Sequence, residues 1–327
     1  MRYMLSFTRG KPVALVLGKN GSLLHTLHVV ECKDDEEPDI EVDDPISLID
    51  KVDIDKVKRA MKLGLIETKI LMKAIRTQNP ERLNEQLKRA YETLIEKSED
   101  KLKTEINFDD DPAVECVIPA LGYNSKPFDR SMLFVGPSGA GKSYLAKKIM
   151  VNDKRNRPVA LFSKVLDDPS LEEIKKQKLP DGKSRLIEVP LFSADDIVNL
   201  PAEDDLKRAI TFFDDIDALG GESGEFLRSY RDALLEAGRH KNITTLSTSH
   251  ILNNYGKTRT LLNEAEWVFC FPNASRISCN NFLKDRLGID KAERDHLIER
   301  AARAGRYLGA KMSAPNAIIH QKGILLL

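Results

Sequence analysis

Met132-Leu-Phe-Val-Gly-Pro-Ser-Gly-Ala-Gly-Lys-Ser143 is the stretch that decides the architecture of this chain. Its four apolar residues, Met132 to Val135, predict a buried strand running straight into glycine. Ser143-Tyr-Leu-Ala-Lys-Lys-Ile-Met150 then predicts a helix. The eight residues between match G-x-x-x-x-G-K-[ST], a loop whose spelling and context agree. Gly136, Gly139 and Gly141 let the chain wrap closely around phosphates in conformations a side chain would forbid. Backbone N–H groups and the helix N-terminus then face the negative charge. The expected nucleotide-binding set is Gly136, Pro137, Ser138, Gly139, Ala140, Gly141, Lys142, Ser143 and Tyr144. Lys142 is expected to reach the β- and γ-phosphates of ATP, and the Ser143 hydroxyl to sit on Mg²⁺.

Outward from that loop, Ile210-Thr-Phe-Phe213 predicts a second buried strand, and Asp214-Asp215 follows at its C-terminal end. Carboxylates delivered there reach the crevice where open α/β sheets bind ligands. Asp214 is the expected Mg²⁺ ligand, acting through water. Asp215 is expected to orient or deprotonate the attacking water, with Asp217 a weaker third choice. A second acid favours hydrolysis over transfer to a small acceptor. A further strand, Ile243-Thr-Thr-Leu246, leads into Ser247-Thr-Ser-His250. Thr248, Ser249 and His250 are candidate γ-phosphate sensors, and a satisfied strand-end histidine is the plainer alternative for His250. Arg231, Arg239, Arg259 and Arg276 are candidates for a finger that neutralises transition-state charge, across a subunit interface if need be.

The chain has 327 residues, and 51 Lys plus Arg balance 51 Asp plus Glu, so no global field attracts nucleic acid or an anionic membrane. Four scattered cysteines, Cys32, Cys116, Cys270 and Cys279, form no metal-ligand spacing and suit a reducing compartment. Neither a signal-peptide pattern nor an apolar run of membrane-spanning length is present, so a soluble, cytoplasmic protein is expected. Residues 1–31 read as short strands forming a small β region. Residues 32–45 read as an acidic linker, and residues 46–112 as helical, with Val57, Met61, Leu65 and Ile70 at helical steps. Asn79 and Pro80 look like the N-cap and first residue of a second helix. Residues 113–327 alternate strand and helix. The expected fold class is α/β: a P-loop core with a mostly parallel sheet covered by helices on both faces, preceded by the β region and a helical hairpin. The basic set Lys284, Arg286, Lys291, Arg294, Arg300, Arg303 and Arg306 is interleaved with acids and reads first as a solvated amphipathic helix. Gly220-Gly-Glu-Ser-Gly224 is the candidate for a flexible pore loop.

Val159-Ala-Leu-Phe-Ser-Lys164, Phe212-Phe-Asp-Asp-Ile-Asp217, Gly238-Arg-His-Lys-Asn-Ile243 and the tail from Gly305-Arg306 to Gly323-Ile-Leu-Leu occur in a familiar order. They resemble the genome-packaging ATPases of large double-stranded DNA viruses, in the FtsK–HerA branch of P-loop enzymes. The resemblance covers roughly residues 113–327. It implies Lys142 and Ser143 on nucleotide and metal, Asp214 and Asp215 at Mg²⁺ and water, and Arg259 as a finger acting in trans. It also implies a hexameric or pentameric ring that translocates double-stranded DNA in the virion or host cytoplasm. The N-terminal third lies outside the resemblance, and a capsid or portal-like protein is the expected docking partner for it. One departure stands out: where that branch places glutamine at the end of the sensor strand, this chain has Ser249-His250. Other oligomeric P-loop ATPases, of helicase, helicase-loader or AAA+ type, are the alternative, as is a nucleotide-switched assembly protein with little turnover.

Overall fold

The computed structural model describes residues 2–7, 10–32, 51–76, 80, 83–102, 104–123, 131–165, 168–191, 196–197, 199–250 and 255–327. The acidic stretch from residue 33 to 45, and Asn79, lie outside the described residues. The chain divides into two compact units, one of Met1–Val13, His25–Asn107 and Leu325–Leu327, the other of Ala14–Leu24 and Phe108–Ile324. Among the described residues no helix is long and apolar enough to cross a membrane.

In the first unit, strand β1 (Arg2–Ser6) pairs antiparallel with β3 (Leu23–Cys32), from Arg2 opposite Cys32 to Ser6 opposite His28. Strand β2 (Lys11–Gly18) belongs to this unit up to Val13 and to the second unit from Ala14, and β4 (Glu105–Asn107) ends the His25–Asn107 segment. Three helices, α1 (Lys51–Ala60), α2 (Leu65–Arg76) and α3 (Glu85–Leu102), bury Val57, Leu63, Leu71, Ile75, Leu83, Leu87 and Leu94 in one core. The helical spacing from Val57 to Ile70 therefore belongs to two helices. Lys62 takes a left-handed φ of 52°, Lys62 N–H reaches Arg59 O at 3.3 Å and Leu63 N–H reaches Lys58 O at 3.0 Å. That pair of bonds is a Schellman stop, with Leu63 as its apolar contact. The third helix starts later than the Asn-Pro signal predicts, at Glu85. The Asn84 carboxamide oxygen accepts from Leu87 N–H at 2.9 Å, so Asn84 does the capping.

The second unit is built on a mixed, mostly parallel sheet. Its strands include β6 (Ser131–Val135), β7 (Val159–Phe162), β8 (Leu186–Val189), β9 (Ile210–Phe213), β10 (Thr244–Ser249), β11 (Ala265–Cys270), β12 (Leu308–Lys311) and β13 (Ala317–His320). They lie in the order β13-β12-β11-β6-β10-β9-β7-β8. Every pairing from β11 to β8 is parallel, while β11–β12 and β12–β13 are antiparallel. Strand β5 (Val114–Pro119) pairs antiparallel with β2 from Ala14 opposite Pro119. Helices α4 (Lys142–Val151), α5 (Glu172–Lys176), α6 (Gly221–Ala237), α7 (Tyr255–Glu264), α8 (Arg276–Leu287) and α9 (Lys291–Ala304) flank the sheet. The central strands β6, β7, β9 and β10 are buried along their whole length, as parallel strands covered on both faces must be. The expected α/β architecture is thus the one observed.

Two sequence expectations change here. Gly220 to Gly224 is not a loop: Gly221 opens α6, and a Cβ at Gly224 would collide with the Leu219 backbone. The basic run is split by Gly288 into α8 and α9, and within it Arg294 is buried, donating to Asn280 Oδ1 at 2.9 Å and to the Ile289 carbonyl.

A buried charge cluster ties α4 to the sheet. Asp153 accepts from Arg157 Nη2 at 2.9 Å, and Arg185 donates to the carbonyls of Arg157 and Met150 at 2.7 Å each. Burial holds the Arg185 guanidinium below its ordinary pKa, with Asp153 working against that shift. Removing the acid strands two cations away from water. Asp153→Ala is expected to lower the unfolding free energy by about 3–5 kcal/mol, measured by urea denaturation, since breaking a buried pair costs far more than an exposed one.

Candidate functional site

The loop after β6 takes the backbone path its glycines permit. Gly139 and Gly141 have φ of 75° and 104°, and Gly136 N–H donates to Ser249 O at 3.0 Å. A Cβ on Gly136 would stand only 3.1 Å from the Phe271 ring, so glycine is also needed there for closeness. Lys142 opens α4 and is buried, 4% exposed. Its ammonium donates to the carbonyls of Gly136 at 2.9 Å and Pro137 at 3.2 Å, and lies 3.7 Å from Asp215 Oδ1. Pro137, Ser138 and Gly139 are exposed, while Ala140 is half-buried. Tyr144, also exposed, has the Lys147 and Lys148 amines 5.2 and 5.3 Å from its ring centre.

Strand order brings the acids to this loop. Strand β10 sits between β6 and β9, pairing parallel with both. Asp214 leaves β9 with its N–H on Phe162 O at 3.0 Å, and its carboxylate accepts from Ser143 Oγ at 2.9 Å. Thr248, on β10, receives the Asp215 N–H at 2.8 Å and donates to Asp214 Oδ1 at 2.8 Å. Asp215 is held in the left-handed region at φ 51°, uncommon for a residue with a side chain. That turn carries its half-exposed carboxylate to 3.2 Å from His250 Nε2. Lys142, Ser143, Asp214, Asp215 and His250 are therefore brought together.

Asp217 stands one step back. It accepts from Ser249 Oγ at 2.7 Å, and its other oxygen faces Arg231 Nη1 at 3.7 Å. Arg231 is fully buried on α6 and also bonds Asp232 Oδ1 at 2.8 Å, so it braces the sheet end and cannot reach another subunit. Arg259 is exposed on α7. Arg239 and Arg276 are likewise exposed. The residues missed by sequence reasoning at the loop itself are Phe271 and Arg306. A Cβ on Gly141 would lie 3.8 Å from the Phe271 ring and 3.9 Å from the Arg306 guanidinium. Nothing local to either sequence position signals that approach.

The donor set suits a hard cation. Asp214 and Ser143 offer adjacent oxygens, and Mg²⁺ is commonly held by one or two such groups with phosphate and water completing its octahedron. Among the described residues no group of three or more His, Cys, Asp or Glu could hold a metal. Burial pushes the Asp214 carboxyl above its ordinary pKa, Asp215 adds to this, and the Thr248 and Ser143 hydroxyls and the Lys142 ammonium oppose it.

A strand, a glycine-rich loop and a helix meeting an acid-ended parallel strand define the P-loop class of α/β proteins. The chain belongs to the family of protein V3 of Sputnik virophage, an uncharacterized protein to which it is 30% identical over 221 residues, spanning 64% of this chain and 83% of that one. No family model matches the chain. Among solved structures it overlaps B204, the DNA-packaging ATPase of Sulfolobus turreted icosahedral virus, with a TM-score of 0.37 and 12% identity over 60% of this chain and 99% of that one. The B204 genome-packaging NTPase of Sulfolobus turreted icosahedral virus 2 in complex with AMPPCP gives 0.34 and 14%, over 60% and 99%.

The raised pKa of Asp214 has a consequence for the nucleotide-free protein. A group raised on folding favours its neutral form, so its contribution to stability is full below the ordinary carboxylate pKa. It is lost as pH rises through the raised value. At neutral pH the Asp214 charge therefore costs stability. Asp214→Asn is expected to raise the melting temperature of nucleotide-free protein at pH 7 by a few degrees. The gap should close as pH falls below about 4, as read by scanning calorimetry.

Proposed function

We propose that this protein is an ATP-hydrolysing motor that assembles as a homo-oligomeric ring of six or five subunits, translocates double-stranded DNA and packages a viral genome into a capsid. The observation that carries the proposal is the convergence on one loop of the Lys142 ammonium, the Ser143–Asp214 oxygen pair and the Asp215 carboxylate. Kinship with a virophage protein supports a viral setting. The order of motifs from Val159 to Leu326 supports the packaging branch.

In this account the loop amides and Lys142 bind the triphosphate. Ser143 and Asp214 would hold Mg²⁺, which when bound neutralises charge on the β- and γ-phosphate oxygens. Asp215 orients the attacking water and accepts its proton. Its left-handed turn and the bond from its N–H to Thr248 Oγ1 fix the Asp215 backbone, and His250, 3.2 Å from the carboxylate, would report the γ-phosphate to it. Arg259 would act on a neighbouring subunit's nucleotide, and the exposed position it occupies leaves it available.

Purified protein with Mg²⁺ is expected to hydrolyse ATP faster when duplex DNA is added. Lys142→Ala should abolish nucleotide binding. Asp215→Asn should keep binding yet lower turnover by about 10²-fold or more, the range assigned to a positioned general base. One rate with and without duplex DNA would speak against translocation, and nucleotide-dependent assembly without turnover would favour a switch. Arg259→Ala is expected to cut steady-state hydrolysis by about 10³-fold with nucleotide affinity kept, as loss of a trans-acting arginine does. Mixing it with Lys142→Ala subunits should restore activity, because each supplies what the other lacks.

A further inference from the structure

Arg306 is anchored through its main chain. It follows α9, where Gly305 leaves no room for a Cβ against the Gln321 side chain. Gln321 Oε1 accepts the Arg306 N–H at 3.2 Å, and Asn273 Nδ2 donates to Gly305 O at 2.8 Å and Ala302 O at 3.2 Å. Two separate turns, one after β11 and one after β13, thus fix the Cα of Arg306. Its side chain is exposed and makes no hydrogen bond or ion pair with a described residue. Yet it runs beside the loop, with Cδ and Nη1 each 3.9 Å from where a Cβ on Gly141 would stand.

The side of the loop on which it stands matters. Asp214 and Asp215 reach the loop from β9, across β10, so the metal and the γ-phosphate belong on that flank. Strand β11 lies on the opposite flank of β6, and Arg306 enters just before β12, next to β11. A nucleotide whose terminal phosphate points toward the acids must trail its nucleoside toward β11. Phe271 is there too, but it is buried, 2% exposed, against Gly136 and serves as packing. Arg306 presents an exposed planar group on that flank.

We infer that Arg306 grips the nucleoside end of the bound nucleotide, its guanidinium lying on the base and ribose while the loop holds the phosphates. Guanidinium planes stack on aromatic faces, which an ammonium cannot reproduce. This rests on the loop 136–143 being the phosphate site, and the test separates the two. Titration calorimetry would compare ADP, a non-hydrolysable ATP analogue and inorganic tripolyphosphate on the full chain. Arg306→Ala is expected to weaken ADP and the ATP analogue equally, by about tenfold, the scale of losing one favourable contact of roughly 1.4 kcal/mol. Its tripolyphosphate affinity and melting temperature should match wild type, and Arg306→Lys should recover little. Equal loss for tripolyphosphate, or loss confined to the triphosphate, would place Arg306 on phosphate and overturn the inference. So would unchanged affinity for all three ligands. If Lys142→Ala lost none of these ligands, the phosphate site itself would be wrong, whatever Arg306 did.

Discussion

A carboxylate held at the end of a strand that water does not reach is the constraint on which this site depends. Strand β9 is buried throughout, and Asp214 leaves it still shielded, its charge opposed by desolvation and by Asp215 next to it. Such a group must be hydrogen-bonded or neutralised. Here two hydroxyls answer it, Ser143 from the loop and Thr248 from β10, and Lys142 stands close behind. Three elements, with Ser143 lying 71 residues before Asp214 and Thr248 lying 34 after it, are thereby registered on one group. A small divalent cation at the Ser143–Asp214 pair would relieve the same charge, and under the proposed function a cost in the resting protein would become affinity for a metal–nucleotide complex.

The neighbouring strand explains why this works only in a parallel sheet. β10 presents Thr244 to Ser249, six buried residues of which five carry hydroxyls. Four of these side chains find partners inside the covered sheet, while Ser247 Oγ makes no hydrogen bond with a described residue. Thr245 meets Thr211 at 3.0 Å, Thr244 meets Arg157 at 2.9 Å, Thr248 meets the two acids, and Ser249 meets Asp217. The strand thus works as a polar seam between the loop strand and the acid strand. The brace runs one layer further, through Asp217 to the buried Arg231 on α6. A motion of α6 would be felt at Ser249, whose carbonyl caps Gly136.

Much of this was legible in the sequence because it is local. Glycine, lysine and serine at fixed spacing after an apolar run need no tertiary knowledge, and neither does an acid pair after Ile210-Thr-Phe-Phe213. The alternation of strand and helix likewise announced an α/β sheet, and the structure agrees. What was not legible depends on packing between distant segments. Gly220 to Gly224 has loop composition, yet Gly224 is chosen because the Leu219 carbonyl leaves no space for a side chain at the start of α6. Lys62 ends a helix in a conformation that glycine usually supplies, so no breaker marked the stop. Arg231 reads like any surface arginine until α6 turns it inward. Arg306 sits in a basic run whose meaning changes once β12 carries it to the loop.

If loop 136–143 and Asp214 form one metal–nucleotide site, titrating wild-type protein with a non-hydrolysable ATP analogue, in Mg²⁺ and then in chelator, should show it. Saturable binding with one site per chain is expected, weakened when Mg²⁺ is removed. Asp214→Asn should erase the difference between the two conditions. Absence of saturable binding, or an affinity that ignores Mg²⁺ in the wild type, would rule the shared site out.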